Sequence, residues 1–475
     1  MSRSNRGRAR SVLLTVLLAA ACVPDEPPPP PSPPPPVAVA GELPPNLILV
    51  VTDDQSVGSL RGQPIAMPWL RKRLTMPGWT TFTNAVVSTP MCCPSRATIL
   101  TGRYARTTGV RSNDDGRALD DAETLAVWLH DAGYRTAMIG KYLNGYPWEG
   151  EPVVPDGWDR WFAKLNLSPA TTYVGYDVID DGARSTVGSA PADYATDRLA
   201  AEALAFVREA PHDRPFFLYL APSAPHSPRE PAPRHLDLLD DPSPVAVDRT
   251  ELAEMNDVVG LPGWVGALPP VDADRAAELE ADRRAERATL RAVDDALRRI
   301  WREVVARGQQ DRTALFLLSD NGFAYGDHRW VGKACPWESC VGVPFVARVP
   351  GTPGGRVEAL VANIDVAPTI AELAGSTLPD VDGVSLLDML RGGPAPAREA
   401  VLLDWVGRDD VPAWVGVRLQ RAVYVRHADG TRELYRLDRD PRQRANLISD
   451  PRAAGLLARA ERLLADALVA VGDGG

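Results

Sequence analysis

The sequence predicts an α/β fold in which helices cover both faces of a large, mostly parallel sheet. Continuous apolar runs alternate with helical patterns, which is typical of parallel strands buried on both sides. The predicted strands are Asn46–Thr52, Arg135–Ile139, Pro215–Leu220 and Thr313–Leu318. The predicted helices are Thr124–Ala132, Asp193–Glu209 and Asp272–Arg307, and the Pro-rich stretch Pro222–Pro270 is predicted to be an irregular insertion.

The pattern changes near residue 395, where we predict a small C-terminal α+β subdomain. Turn signals such as Asp429-Gly430 separate short apolar runs, as in an antiparallel sheet. The predicted strands are Ala400–Trp405, Trp414–Leu419, Ala422–Arg426 and Glu433–Leu437, and an amphipathic helix at Pro451–Val471 could cover them. We therefore divide the globular sequence into a main domain, residues 43–395, and a subdomain, residues 396–475.

Length and composition exclude several classes of protein. The chain has 475 residues, of which 45% are apolar and 24% charged, as in soluble globular proteins and unlike disordered or polytopic membrane proteins. Its formal net charge is −10, and nothing in the sequence suggests a nucleic-acid partner. Because an acidic protein attracts anions poorly over long distances, any anionic substrate must be captured by a local group of cations.

The first 42 residues predict export. Residues 1–22 combine four arginines with a short apolar stretch, Ser11–Ala21, as in a signal peptide, and this stretch is too short to span a bilayer. The small residues before Cys22 resemble the cleavage site of bacterial lipoproteins, in which this cysteine becomes the lipidated N-terminus. Plain secretion and an uncleaved anchor are the alternatives. Residues 23–42 form a Pro-rich linker, so we expect a protein of the bacterial cell envelope or a secreted one, with a lipid anchor as its only membrane contact.

The cysteines other than Cys22 do not have the spacing of a zinc site. Export permits disulfide bonds. Cys335 and Cys340 flank four residues and could close a small loop. Cys92 and Cys93 are adjacent and belong to a different motif.

Each predicted parallel strand is followed by residues that bind metals or anions. Ligands of open α/β sheets bind beyond the carboxyl ends of the strands. The residues that follow the four strands are Asp53 and Asp54, Lys141, His226, and Asp320 with Asn321. We therefore expect these six side chains to meet at one edge of the sheet.

Four of these residues are candidate metal ligands: Asp53, Asp54, Asp320 and Asn321. Three neighbouring carboxylates repel one another unless a cation lies between them. A set of oxygen ligands that includes an amide favours a hard cation, first Ca²⁺ and second Mg²⁺. The alternative is that each aspartate caps a following helix.

A candidate nucleophile, Cys92, lies in the segment Met91–Arg103. Pro94 suits the first turn of a helix, which places Cys92 just before a helix N-terminus, where backbone N–H groups attract negative charge. Arg96 lies within the first turn. Taken alone, this arrangement predicts a nucleophilic thiol with a low pKa.

The same segment resembles the signature of the type I (formylglycine-dependent) sulfatases, which belong to the alkaline-phosphatase-like superfamily. The matching residues are Cys-x-Pro-Ser-Arg from Cys92 to Arg96, followed by Leu-Thr-Gly-Arg from Leu100 to Arg103. Further strings occur in the order expected for that family, namely Leu49–Gln55, Gly140–Asn144, Pro155–Trp158, Ala224–His226, Ser319–Gly322, Gly332-Lys333, Asn363–Thr369 and Glu433–Leu437. The double cysteine and Gly140–Asn144 resemble the N-acetylglucosamine-6-sulfatase and heparan endosulfatase branch in particular.

The resemblance implies hydrolysis of a sulfate ester, on a sulfated sugar or another sulfated small molecule. It implies that a formylglycine-generating enzyme or its equivalent converts Cys92 to formylglycine, whose hydrate is the nucleophile and also binds one Ca²⁺ together with the four oxygen ligands. The implied cationic residues are Arg96, Lys141 and Lys333, with His226 or Lys333 protonating the leaving alcohol. A further candidate substrate contact is His328.

Two other functions are compatible with these residues. One is a phosphomonoesterase or phosphodiesterase of the same superfamily, although such enzymes commonly use Thr or Ser and two metals. The other is a non-catalytic sugar-binding lipoprotein in which Cys92 stays unmodified.

Overall fold

A ten-stranded sheet forms the centre of the main domain in the computed structural model. The structure describes residues 43–149, 153–165, 172–242, 249–376, 380–408 and 410–472. The predicted signal peptide with Cys22 and the whole of the Pro-rich linker lie outside the described residues, whose first member is Leu43.

The strands, in chain order, are β1 Asn46–Thr52, β2 Trp79–Phe82, β3 Ala85–Val86, β4 Arg135–Gly140, β5 Arg160–Lys164, β6 Asp177–Asp180, β7 Ala183–Thr186, β8 Phe216–Ala221, β9 Thr313–Ser319, β10 Ala324–Asp327, β11 Trp330–Gly332, β12 Phe345–Arg348, β13 Gly355–Val357, β14 Val361–Ala362, β15 Ala400–Trp405, β16 Trp414–Leu419, β17 Ala422–His427 and β18 Arg432–Arg436. The α-helices are α1 Pro68–Arg73, α2 Cys92–Thr101, α3 Ala105–Thr108, α4 Leu125–Asp131, α5 Ala195–Glu209, α6 Arg249–Met255, α7 Gly263–Gly266, α8 Ala273–Ala306, α9 Glu338–Val341, α10 Val366–Ala374, α11 Leu387–Leu390 and α12 Ala454–Ala470.

The order of strands in the large sheet is β13-β2-β12-β9-β1-β8-β4-β5-β6-β7. The five central strands, β9, β1, β8, β4 and β5, are parallel neighbours, while β12 and β6 run antiparallel to the strands beside them. The predicted, mostly parallel sheet is thus confirmed. The antiparallel pairs near its ends were not predicted, because these strands are short and carry little hydrophobic periodicity.

Helices pack on both faces of the sheet, as expected from the continuous apolar strands. Leu49 and Val50 of β1 point to opposite faces and belong to different hydrophobic cores. The core around Leu49 contains residues of α2, α4 and α10. The core around Val50 contains residues of α5 and α8. Between two such cores the interior of the strand, Leu47–Val51, is entirely apolar, and its polar residues, Asn46 and Thr52, lie at its two ends.

The insertion at Pro222–Pro270 contains no strand among its described residues, which include the short helices α6 and α7 and a 3₁₀ helix at Pro233–Asp240. The described residues include no helix with both the length and the apolar composition of a membrane span.

The C-terminal strands β15, β16, β17 and β18 form a separate antiparallel sheet in that order. One face packs against α12, through residues such as Tyr424 and Leu464. The other face shares a core with the main domain, in which Val401 and Val425 pack with Met91 and Ala334. The predicted boundary near residue 395 stays a prediction. The shared core brings the small sheet beside the residue that precedes Cys92.

Candidate active site

The carboxyl ends of the central strands meet at one edge of the large sheet, and backbone hydrogen bonds join the residues that follow them. The Asp320 N–H donates to the carbonyl oxygen of Thr52, at 3.0 Å. The Lys141 N–H donates to the carbonyl oxygen of Ala221, at 2.7 Å. The residues that follow four different strands are therefore held together by the sheet itself.

The four oxygen-donor residues lie together at this edge and are buried. The Asp54 N–H donates to Asp320 Oδ1 at 3.1 Å, and Asn321 Nδ2 donates to Asp54 Oδ1 at 2.8 Å. Asp54 has a φ of 62°, in the left-handed region that aspartate tolerates better than most residues. This backbone conformation turns the chain sharply after β1.

The donor set fits a hard cation. Potential ligand atoms of Asp53, Asp54 and Cys92 all lie within 4.8 Å of one another. Asn321 Oδ1 is buried and has no hydrogen-bond partner among the described residues, while Nδ2 of the same amide is engaged. An oxygen atom left without a donor beside buried carboxylates is the expected geometry of a metal ligand.

Three cationic side chains balance the three carboxylates. Arg96 Nε donates to Asp320 Oδ2 at 2.9 Å. Lys141 Nζ lies 2.7 Å from Asp53 Oδ2, and Lys333 Nζ lies 2.7 Å from Asp54 Oδ1. Each carboxylate therefore has its own cation, delivered by a different element of the fold.

The pKa values of the acids reflect this arrangement. Burial alone would raise the pKa of Asp53, but Lys141 and the other nearby cations outweigh it and hold that pKa well below its usual range. The pKa of Asp54 is also lowered, since Lys333 outweighs burial. Burial, followed by repulsion from Asp53, raises the pKa of Asp320 to about 6, although Arg96 opposes the shift. Asp320 is thus the carboxylate that the nearby cations compensate least, and an additional cation would stabilise its charged form.

Cys92 is the first residue of α2 and lies at the centre of this group. Its Sγ is 3.5 Å from Asp53 Oδ1 and 2.8 Å from Lys333 Nζ. The prediction of a low-pKa thiol was wrong. Burial raises the pKa of the Cys92 thiol to about 12, and the nearby Lys141 and Lys333 do not compensate for it. The unmodified thiol is therefore a poor nucleophile near neutral pH.

His226 approaches the group from the loop after β8. Its Nε2 lies 3.6 Å from Asp54 Oδ2, and its Nδ1 is 2.7 Å from the carbonyl oxygen of Ser227. The Tyr173 hydroxyl donates to the His226 carbonyl oxygen at 2.7 Å and holds this loop in place. Burial lowers the pKa of His226, although Asp54 opposes that shift.

His328 lies in a different environment from the other predicted site residues. It follows β10, and its ring packs against Trp337 with a centroid distance of 4.5 Å. It lines a cavity of about 60 Å³ together with Arg283 and Asp327. Neither ring nitrogen has a hydrogen-bond partner among the described residues. Its role as a substrate contact stays a prediction.

Cys335 and Cys340 are joined by a disulfide bond. The Gly322 N–H donates to the Cys340 carbonyl oxygen at 2.8 Å, which attaches the disulfide loop to the residue after Asn321. The β10–β11 hairpin lies between Asn321 and Lys333. The disulfide loop contacts the chain just before this hairpin, at Gly322, and continues from it just after Lys333, at Cys335.

Two residues near the site were not predicted. Lys164, at the end of β5, is buried, and burial followed by the charge of Lys141 lowers its pKa to about 8. Had β5 been predicted as a parallel strand, Lys164 at its carboxyl end would have been expected at the same edge of the sheet as the other site residues. Asn113 accepts a hydrogen bond from the Cys93 N–H at 3.0 Å and so fixes the start of α2. No pattern in the sequence marks that contact.

Comparison with known proteins agrees with this geometry. The sulfatase family model matches residues 45–376. The chain belongs to the sulfatase family. A second model, the C-terminal region of N-sulphoglucosamine sulphohydrolase, matches residues 326–469 and so covers the small antiparallel sheet.

Among curated sulfatases, the chain is 33% identical to an extracellular sulfatase SULF-1 homolog of Drosophila melanogaster, over 74% of this chain. It is 32% identical to human N-acetylglucosamine-6-sulfatase, over 78% of this chain. The chain spans 32% of the length of the Drosophila protein and 68% of the human one.

The sulfatase fold is also found among solved structures. One, a complex with its substrate D-glucosamine-2-N,6-O-disulfate, has a TM-score of 0.80 and 24% identity, over 90% of this chain and 98% of the other. Another, a phosphonate monoester hydrolase of Agrobacterium radiobacter, has a TM-score of 0.69 and 23% identity, over 88% of this chain and 95% of the other. At this identity the likeness concerns the fold alone.

Proposed function

We propose that the protein hydrolyses sulfate esters of sugars, with residue 92, converted to formylglycine, as the nucleophile. One observation carries the proposal: Cys92 Sγ lies against Lys333 and Asp53 at the edge where the buried oxygen donors meet. The raised pKa of the Cys92 thiol is a second argument, because it disfavours direct attack by an unconverted cysteine.

Asp53, Asp54, Asp320 and Asn321 would hold the metal. Because all the ligand atoms are oxygens, a hard cation is expected; we propose Ca²⁺, with Mg²⁺ as the alternative. When bound, such a cation would act as a Lewis acid on the sulfate ester. Residue 92 would contribute a further oxygen ligand after its conversion.

The cationic residues divide into two groups by exposure. Arg96 and Lys141 are almost completely buried, with side chains 0% and 3% exposed, so they act on charge inside the site and cannot reach a leaving group outside it. Preorganised donors of this kind are worth roughly 3–4 kcal/mol each in the transition state.

Lys333 and His226 face outward, with side chains that are 17% and 23% exposed. A sugar that delivers its sulfate to residue 92 must enter from this side. These two residues are therefore the candidates for protonating the departing alcohol oxygen. Burial lowers the pKa of His226, so this residue holds a proton less readily. Asp54 and the other nearby acidic groups outweigh burial and raise the pKa of Lys333, which makes its ammonium group a weaker acid. Both residues therefore stay candidates.

For the substrate we propose a 6-O-sulfated glucosamine or N-acetylglucosamine residue. The human relative is named for a 6-sulfatase of N-acetylglucosamine, and the structure with a TM-score of 0.80 is described with a 6-O-sulfated glucosamine as its substrate. A panel that compares this sugar with 4-O- and 2-O-sulfated sugars tests the assignment. Preferred turnover of another position would overturn it.

The decisive experiment measures residue 92 and activity together. The protein is produced with and without a formylglycine-generating enzyme. The mass of the peptide that contains residue 92 is then measured by mass spectrometry, and desulfation is assayed on the same samples. We expect activity in proportion to the aldehyde content. Cys92→Ala should be inactive, whereas Cys93→Ala, which removes the neighbouring buried thiol, should retain conversion and activity. Full activity of unconverted protein would contradict the proposal.

Two further outcomes would favour the alternative functions. Faster turnover of aryl phosphates than of aryl sulfates by the converted protein would indicate a phosphoesterase. Sugar binding without conversion of Cys92 in the native host would indicate a non-catalytic lipoprotein.

We also propose that the mature protein is exported and anchored through a lipid on Cys22. The support is the sequence of residues 1–22 together with the relative named as an extracellular sulfatase. Detergent partitioning of the wild type and of Cys22→Ala tests this. Release of the variant into the aqueous phase is expected, and an aqueous wild type would contradict the anchor.

A further inference from the structure

A second site of positive charge lies beside the C-terminal sheet. A pocket of about 360 Å³ is lined by Arg106, Arg111, Trp405, Trp414, Arg426 and His427, among others, and is called the basic pocket below. Its volume is in the range of sites that bind small ligands.

Trp405 and Trp414 form an apolar wall of the basic pocket. They are directly opposite each other on β15 and β16 and are buried. Their indole N–H groups are engaged, with Trp405 donating to the Val411 carbonyl oxygen and Trp414 donating to the Ala334 carbonyl oxygen. This wall is therefore rigid and offers no hydrogen-bond donor of its own, so a polar ligand must be held by the other residues.

Three arginines line the basic pocket. Arg106 Nε lies 2.8 Å from Asp404 Oδ2, and Arg111 Nη2 lies 3.8 Å from the same oxygen atom. Arg426, on the adjoining strand β17, is exposed. Three guanidinium groups thus line one pocket, and guanidinium groups bind sulfate and carboxylate with good geometry.

His427 closes another side of the pocket. Its Nε2 lies 2.5 Å from Glu433 Oε1, and Glu433 is a buried carboxylate that also accepts hydrogen bonds from Trp337 and Tyr435. His427 Nδ1 has no hydrogen-bond partner among the described residues. The contact with Glu433 therefore fixes the orientation of the ring, and Nδ1 stays available for a hydrogen bond to a ligand.

Hydrogen bonds join the residues around the basic pocket to segments that carry active-site residues. Trp414 donates to the carbonyl oxygen of Ala334 at 2.8 Å, and the preceding residue, Lys333, contacts Cys92 Sγ. On the other side, the Thr89 hydroxyl donates to Asp404 Oδ1 at 2.7 Å, three residues before Cys92. The basic pocket and the candidate active site are therefore supported by the same two segments of the chain, around Thr89 and around Ala334.

We propose that the basic pocket binds the anionic group, a carboxylate or a second sulfate, of a sugar residue next to the one that is desulfated. This inference rests on the proposed function, and it makes the substrate an oligosaccharide. A chain with a net charge of −10 does not attract a polyanion over long distances, so a local cluster of arginines is needed to hold one.

The test compares Arg426→Ala with a matched control, Arg421→Ala. Both arginines are exposed, and they lie at opposite ends of the β17 region, so the two changes remove the same charge from one hairpin. The substrates are a 6-O-sulfated monosaccharide, the same residue linked to a uronate, and the same residue linked to a second sulfated sugar.

For Arg426→Ala we expect the ratio of kcat/KM on the disaccharides to kcat/KM on the monosaccharide to fall about tenfold, mainly through KM, as a lost charge-assisted contact would cause. Arg421→Ala should keep the wild-type ratio. A larger fall with the uronate or with the second sulfate identifies which anion the pocket prefers. Equal ratios for wild type and Arg426→Ala would overturn the proposal.

A binding measurement separates this inference from the proposed function. Isothermal titration with an unsulfated uronate-containing disaccharide, and with a disaccharide sulfated only on its second residue, needs no converted nucleophile. We expect about tenfold weaker binding of one of them to Arg426→Ala than to Arg421→Ala. If both variants bind equally, the pocket proposal fails even when the enzyme is active. If binding differs but no sugar sulfate is hydrolysed, the proposed function fails instead.

Discussion

Replacing Lys141 with methionine tests the charge balance of the site most directly. Lys141 Nζ lies 2.7 Å from Asp53 Oδ2, and the two side chains are 3% and 0% exposed. After the substitution, the cationic group of the described site that remains beside the Asp53 carboxylate is the Arg96 guanidinium, whose Nη2 lies 3.9 Å from Asp53 Oδ2. Breaking one side of a buried ion pair costs about 3–5 kcal/mol. We expect that loss in the free energy of unfolding when metal is chelated.

Calcium should reduce this loss, because a cation beside Asp53 would replace part of the missing charge. A ligand at about 100 times its Kd stabilises a protein by about 2.7 kcal/mol. We expect Ca²⁺ to stabilise Lys141→Met by more than it stabilises the wild type, since the variant site is more negative. The activity of the variant should nevertheless fall by roughly 10²–10³ in kcat/KM, because the positive charge no longer acts in the transition state.

The assay combines urea denaturation, with Ca²⁺ and with chelator, and steady-state desulfation of converted protein. Lys72→Met, a substitution of an exposed lysine on α1, is the matched control and should change neither quantity appreciably. The charge-balance argument is refuted if Lys141→Met loses less than about 1 kcal/mol in chelator. It is equally refuted if Ca²⁺ stabilises the variant less than the wild type.

Three further predictions concern the structure around the site. Gly140 has a φ of 125°, and a Cβ there would lie 2.0 Å from the Ala221 carbonyl oxygen. Gly140→Ala should therefore lower the free energy of unfolding, measured by chemical denaturation, by more than about 2 kcal/mol, and wild-type stability of the variant would contradict this. The double variant Cys335→Ser/Cys340→Ser should lose about 2 kcal/mol, and reductant should destabilise the wild type but not the variant. Burial lowers the pKa of Lys164 from 10.5 to about 8, so the unfolded chain binds more protons between these pH values and stability should rise with pH across that window. Lys164→Met should flatten this rise in denaturation experiments, and an unchanged slope would show that Lys164 does not titrate there.

Much of the site could be predicted from the sequence because its residues follow long, strongly apolar strands. Strand β1 precedes Asp53, and strand β9 precedes Asp320. Parallel strands bring such residues to a single edge whatever the details of packing, so local pattern and topology together were sufficient. The helix that begins at Cys92 could likewise be predicted from Pro94 and the residues around it.

The tertiary structure alone decided the properties that depend on burial and on charges from distant parts of the chain. The Cys92 thiol has a pKa of about 12 because its surroundings exclude water, which no neighbouring residue in the sequence indicates. Lys164 and the basic pocket could not be predicted, because the short strand β5 and the contacts between distant segments leave no periodic pattern in the sequence. The sequence by itself determined which chemical groups the protein brings to the edge of its sheet. Packing then decided how strongly each group is charged and which further cations lie beside them, because desolvation and Coulomb interactions depend on three-dimensional distance rather than on order along the chain.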